Sequence, residues 1–243
     1  MQNLLNNAPD PDMPPVTWGW RDVIAVVVTV LAGTLVLLGA IQLLPIAQDE
    51  ALGVTSPVPY ISTALIYLLI LLAVYLFAAR RSGWAALGWR PVPIPMLLMV
   101  PALLLLIITG MVLINLLIVL ATGDFENPQV DALTGGNALT SNQLLLLLVL
   151  VAGVVPAVEE VFFRGMIYGL MRRQWGALLA IVASAALFSV VHVLPILMPA
   201  LFFVGLVLGF LREWSKSIVP CILLHSLQNA LVLIAINATL SGM

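Results

Sequence analysis

The chain has 243 residues, 63% of them hydrophobic and only 8% charged, with a formal net charge of −2. A mean hydropathy of +1.17 excludes a water-soluble domain of this size, and apolar runs of about 18 or more residues mark membrane helices instead. No basic patch is present for nucleic acid, and a single cysteine, Cys221, excludes an internal disulfide framework.

Only helices and closed barrels satisfy their backbone in lipid. The alternation of barrel strands is missing, so the predicted class is an all-α polytopic membrane protein. Residues 1–22, with several Pro, Asn and Asp, read as a disordered cytoplasmic tail. They lack the basic n-region and cleavage site of a signal peptide. Three spans follow, roughly Val23–Leu44, Tyr60–Ala79 and Met96–Leu120, and residues 23–143 form a peripheral block. The loops 45–59 and 121–143 are expected to be irregular. Four more spans, roughly Leu144–Leu170, Gly176–Leu194, Ile196–Leu211 and Ile218–Leu240, fill residues 144–243. About seven transmembrane helices are predicted in all.

Charge asymmetry supports that count. Arg21 precedes the first span; Arg80, Arg81 and Arg90 follow the second; Arg172 and Arg173 follow the fourth; Arg212 and Lys216 follow the sixth. The loops after spans one, three, five and seven hold no Lys or Arg. Basic loop residues therefore fall on one side, which predicts a cytoplasmic N-terminus and an outer C-terminus. The expected location is the plasma membrane of a prokaryote. Trp18, Trp20, Trp84, Trp89, Trp175 and Trp214 all lie near predicted cytoplasmic ends, as an interfacial belt would.

The fourth span contains what lipid disfavours. Glu159 and Glu160 stand side by side in an apolar run, and Arg164 follows Glu160 by one turn. Charge inside a membrane helix is costly and points to a working site. The protein's two histidines also lie in spans: His192, one turn after Phe188, and His225, one turn before Asn229. A spacing of four puts each pair on one helix face. At about 1.5 Å per residue, Glu159, His225 and Asn229 lie at roughly 18, 11 and 17 Å from the cytoplasmic side, and His192 at about 26 Å, too far out by up to two turns. Pro156 is expected to kink or loosen the helix just before Glu159. Gly165–Gly169 and Gly205–Gly209 read as small-residue pairs for close helix packing. Cys221 is a turn before His225, either as a dyad partner or as a small packing residue.

The set E-E-x-x-x-R (Glu159, Glu160, Arg164), F-x-x-x-H (Phe188, His192) and H-x-x-x-N (His225, Asn229), in this order on successive helices, resembles the CAAX prenyl endopeptidase and bacteriocin-processing (CPBP, or Abi) family, which includes the Ras-converting type. The resemblance covers about residues 144–240; the basic, Trp-containing loop after the second span also looks like prokaryotic members. It implies a catalytic core in the last four helices and an intramembrane endopeptidase. In that family's glutamate-protease view, Glu159 and His192 hold and activate a water, His225 and Asn229 stabilise the oxyanion, and Glu160, Arg164 and Phe188 support the site. No cofactor is then required. The partners are membrane lipid and a peptide or protein substrate, lipidated or not, with no nucleic acid.

The residues leave rivals open. Glu159, His192 and His225 also make a three-ligand zinc set with an open position for water. Clustered ionisable groups suit a proton-coupled transporter as well. A non-catalytic scaffold or immunity protein is the third reading.

Overall fold

A computed structural model describes residues 15–43, 56–124 and 126–242. Residues 1–14, most of the expected tail, lie outside the described residues, as do residues 44–55 of the first outer loop. Among the described residues the structure is helical and without strands.

The helices run α1 (Trp20–Ile41), α2 (Val58–Ser82), α3 (Ile94–Thr122), α4 (Pro128–Thr134), α5 (Ser141–Trp175), α6 (Ala177–Val190), α7 (Met198–Ser215) and α8 (Val219–Ser241). Six of them are long and apolar enough to cross a membrane; α6, with 14 residues, is apolar but shorter. The seven predicted spans each correspond to a helix, so the count of seven is approximate only through α6. Leucines such as Leu35, Leu98, Leu105 and Leu120 are exposed, which fits a surface that meets lipid rather than water.

Several details differ from expectation. Helix α1 starts at Trp20, and the Gly19 amide donates to the Asp22 carboxylate (2.9 Å) at its first turn. Asp22 also pairs with Arg81, which ties the start of α1 to the end of α2. Trp18 is not an interfacial anchor. It is 1% exposed, and its indole N–H donates to the Met166 carbonyl (3.0 Å). Trp84, Trp89, Trp175 and Trp214 are exposed, as a belt requires. The loop 121–143 is not wholly irregular, because it folds into α4. There Asn127 caps by accepting from the Gln129 amide (3.0 Å), and Pro128 takes the first helical position.

Helices α5, α6 and α7 form the centre. A Cβ added at Gly205 would lie 2.9 Å from the Ala185 backbone, closer than such atoms come. The glycine therefore sets the α6–α7 approach, as the small-residue spacing predicted.

Candidate active site

Helix α5 does not break at Pro156. It carries π-helical turns on both sides, Leu148–Val154 and Val161–Ile167, around the segment Val155–Glu160. Proline offers no N–H to the preceding turn, and π turns are a common adjustment near functional groups. Within the first of them the Val151 carbonyl accepts from Asn229 Nδ2 (3.0 Å). The loosening expected at Pro156 is thus a change of helical pitch that lends a carbonyl to α8.

The two glutamates have separate environments. Glu160 is fully buried, and its Oε1 accepts from Arg164 Nη1 (2.9 Å) and from His225 Nδ1 (3.0 Å). Glu159 is 11% exposed at its side chain; its Oε1 accepts from the Tyr67 hydroxyl (2.6 Å), and its Oε2 is 3.9 Å from His225 Nε2. Residues i and i+1 on a helix point about 100° apart. One carboxylate is therefore turned into the bundle and the other to its edge.

Arg164 is likewise fully buried. Its Nη2 donates to the Gly205 carbonyl (3.2 Å), and its guanidinium lies 4.6 Å over the Phe188 ring. Phe188 makes edge contacts with His192 (4.8 Å between centroids), His225 (5.6 Å) and Phe163 (5.3 Å). It acts as a spacer that separates the arginine from both imidazoles.

His192 follows α6 in a turn, half-buried, with Nδ1 2.6 Å from the Phe188 carbonyl. A carbonyl only accepts, so Nδ1 carries the proton and Nε2 keeps its lone pair in the neutral ring. The same argument puts a proton on His225 Nδ1, facing the Glu160 carboxylate. The depth mismatch read from the sequence also resolves. Helix α5 continues to Trp175 and α6 starts at Ala177, so both acid and histidine are counted from one turn. Along the helices Glu159 is then about 24 Å and His192 about 22 Å from it.

Glu159, Phe188, His192, His225 and Asn229 line one cavity of about 320 Å3. Glu160 and Arg164 sit behind it. Glu159, His192 and Tyr67 also border a second, more apolar cavity of about 480 Å3 between α1, α2 and the turn at Val191. Among the described residues no three His, Cys, Asp or Glu side chains stand as a metal-holding group.

Cys221 is not brought to the cavity. It is fully buried, its Sγ near the carbonyls of Leu208 (3.5 Å) and Ser217 (3.7 Å). The packing reading applies and the Cys–His dyad does not. A Cys221→Ser protein is expected to keep cleavage within about twofold of wild type, since a hydroxyl serves the same carbonyls; a peptide-cleavage assay checks this.

Sequence reasoning missed Tyr67, which lies mid-span in an apolar run and donates its hydroxyl to Glu159. It also took Arg212 for a loop cation. Arg212 lies in α7, fully buried, its Nε donating to the Arg164 carbonyl (3.1 Å). Beside it, Glu213 accepts from Tyr168, from Arg172 Nε (3.1 Å) and from Lys216 (2.8 Å), and so clamps the ends of α5 and α7.

Comparison with known proteins agrees with the motif reading. Residues 141–231 match the family model described as type II CAAX prenyl endopeptidase Rce1-like. The chain is also similar to the membrane-embedded CAAX protease MroQ of Staphylococcus aureus, with 24% identity over 221 residues, covering 88% of each chain. No solved structure matches. The resemblance is borne out over the matched segment, and with it the reading of the chain as a membrane peptidase.

Proposed function

We propose that this membrane peptidase hydrolyses peptide bonds by a water that Glu159 and His192 activate, with His225 and Asn229 as donors to the oxyanion. The observation that carries the reading is the placement of all four side chains on one cavity, with the Glu160–Arg164 pair sealed behind them. Amide hydrolysis needs a base for water and donors where negative charge develops.

Tyr67 occupies one oxygen of Glu159 and leaves the other to take a proton from water. His192 presents its free Nε2 and can hold the same water or pass a proton to the leaving amine. Asn229 has one amide N–H committed to Val151, and the second donates to the oxyanion. His225, fixed by Glu160 through Nδ1, donates through Nε2 when its ring is doubly protonated. The proton taken from water ends on the departing amine, and the products are a carboxylate and an amine.

No cofactor enters this scheme. The substrate is a peptide or protein segment at the membrane. The apolar second cavity and the name of the similar CAAX protease both support a lipidated or membrane-anchored one.

The test uses purified protein in liposomes with membrane-anchored reporter peptides and mass spectrometry of the products. Defined cleavage that survives chelation supports the reading. Loss on chelation with recovery on added zinc moves it to the metal version at Glu159, His192 and His225. Asn229→Ala is expected to lower kcat by about 10²–10³-fold with little change in KM, as for one lost oxyanion donor. A fall in substrate affinity alone would count against that role.

A further inference from the structure

The catalytic cavity is open in one direction along the bundle. On α5 its wall runs Val151, Val155, Glu159, one helix face at a spacing of four, and no α5 residue beyond Glu159 contributes. On α8 the wall starts at His225 and continues to Leu233 and Ile236, away from the α7–α8 turn. Helix α7 contributes only its first turns, Ala200 to Val204. The far end is bordered by Asn127, Gln129, Ala132 and Leu133 of the α4 segment.

In the other direction the interior of the bundle is closed, and the second cavity, lined by Phe162 and Phe163, lies on the α1–α2 side. Glu160, Phe163, Arg164, Met166, Ile167 and Leu170 are all buried, and the Glu213 clamp lies beyond them. The closed end is the end with Arg81, Arg90, Arg172, Arg173 and Lys216. Between α3 and α5, at the open end, the chain holds Asp124, Glu126 and Asp131 and no Lys or Arg. Arginine-rich ends of membrane helices face the cytoplasm.

Resting on the peptidase reading above, we infer that the cavity takes its substrate from the side opposite the arginines, so that the bond cleaved is presented from outside the cell. The chemistry of the mouth narrows the substrate class. Its polar groups are the carboxamides of Asn115, Asn127, Gln129 and Gln228, with no charged side chain before Glu159. Carboxamides both donate and accept, which suits an extended peptide backbone and does not select a charged terminus. The substrate is thus an exported peptide, or the outer juxtamembrane part of an anchored protein. Helix α4 lies over this mouth, held by Leu133 against Leu139, Leu147 and Leu233 and by the bond from the Leu139 amide to Asn237 Oδ1 (2.7 Å).

The experiment places single cysteines in the Cys221→Ser protein, at Gln129 (Gln129→Cys) and at exposed Ala85 on the arginine end (Ala85→Cys). A membrane-impermeant maleimide added to intact cells is expected to label Gln129→Cys directly and Ala85→Cys only after lysis. In purified protein a bulky maleimide at Gln129→Cys is expected to abolish cleavage relative to the same unlabelled protein, while labelled Ala85→Cys keeps its rate. Labelling in the reverse order overturns the inference, and so does a blocked Gln129→Cys that still cleaves. Glu159→Gln in the same assay separates the two claims. If it cleaves, the peptidase mechanism fails; if it is silent while the labelling is reversed, only the side of access fails.

Discussion

Replacing Glu159 with glutamine is expected to cut peptide cleavage by about 10³–10⁴-fold, near the upper end of what a positioned base contributes. The protein should still insert and melt close to the wild-type temperature. Glutamine keeps the shape of the side chain, and its carbonyl still accepts from Tyr67, so the contact to α2 survives. What disappears is the carboxylate oxygen that Glu159 presents to the cavity. Glu160 cannot replace it. Its Oε1 already accepts from Arg164 and His225, and the residue is fully buried. Initial rates on an internally quenched peptide, with thermal melting in the same detergent, provide the check. A Glu159→Gln protein that cleaves at the wild-type rate would remove the base from the scheme. His192→Ala is expected to fall as far, because Nε2 of that ring is the basic nitrogen that holds the same water in the proposed scheme.

The candidate site's residues stand out in the sequence for a simple reason. Acids, an arginine and two histidines in apolar helices are costly in lipid, and spacings of four put partners on common faces. What could not be read lies in features that apolar periodicity does not encode. The two π turns of α5 change pitch without changing composition, so the bond from Asn229 to Val151 has no sequence signature. Tyr67 looks like any membrane tyrosine until α2 is placed against Glu159. Arg212 finds a carbonyl rather than a carboxylate, and no charge pattern reveals that choice. Trp18 sits where a belt tryptophan should, yet it is buried with its indole N–H on the Met166 carbonyl of α5. By contrast, α4 had a readable signal in Asn127–Pro128, a cap followed by a proline at the first helical position. The acidic, glycine-containing loop around it hid that signal.

The geometry divides labour between neighbouring residues. Glu159 meets the cavity, and Glu160 meets the arginine. His225 links them, with one ring nitrogen on each carboxylate at 3.0 and 3.9 Å. An imidazole held this way cannot rotate without breaking its bond to Glu160, so the fully buried pair also fixes the orientation of the ring proposed as oxyanion donor. Changes at Glu160 or Arg164 should therefore reach catalysis through His225, by position rather than by contact with substrate.

Arg164→Ala is expected to produce the largest loss of stability in the molecule. Both partners of the Arg164–Glu160 bridge have side chains 0% exposed. Removing one partner of a buried pair costs about 3–5 kcal/mol, because the remaining charge has neither water nor a counter-ion. Here the damage spreads. Glu160 Oε2 already lacks a partner among the described residues, the Gly205 carbonyl loses its donor, and Phe188 loses the cation above its face. The melting temperature in detergent should fall by on the order of 10 °C for a chain of this length. The comparison that isolates the charge is the double variant Glu160→Gln with Arg164→Met. A neutral amide beside an apolar chain of similar length needs no counter-ion, so much of the lost stability should return while cleavage stays impaired through His225. If Arg164→Ala melts within a degree or two of wild type, the buried guanidinium, with its bond to the Gly205 carbonyl, is not what holds α5 against α7. If the double variant is no more stable than Arg164→Ala, the loss comes from packing against Phe188 and not from an orphaned charge.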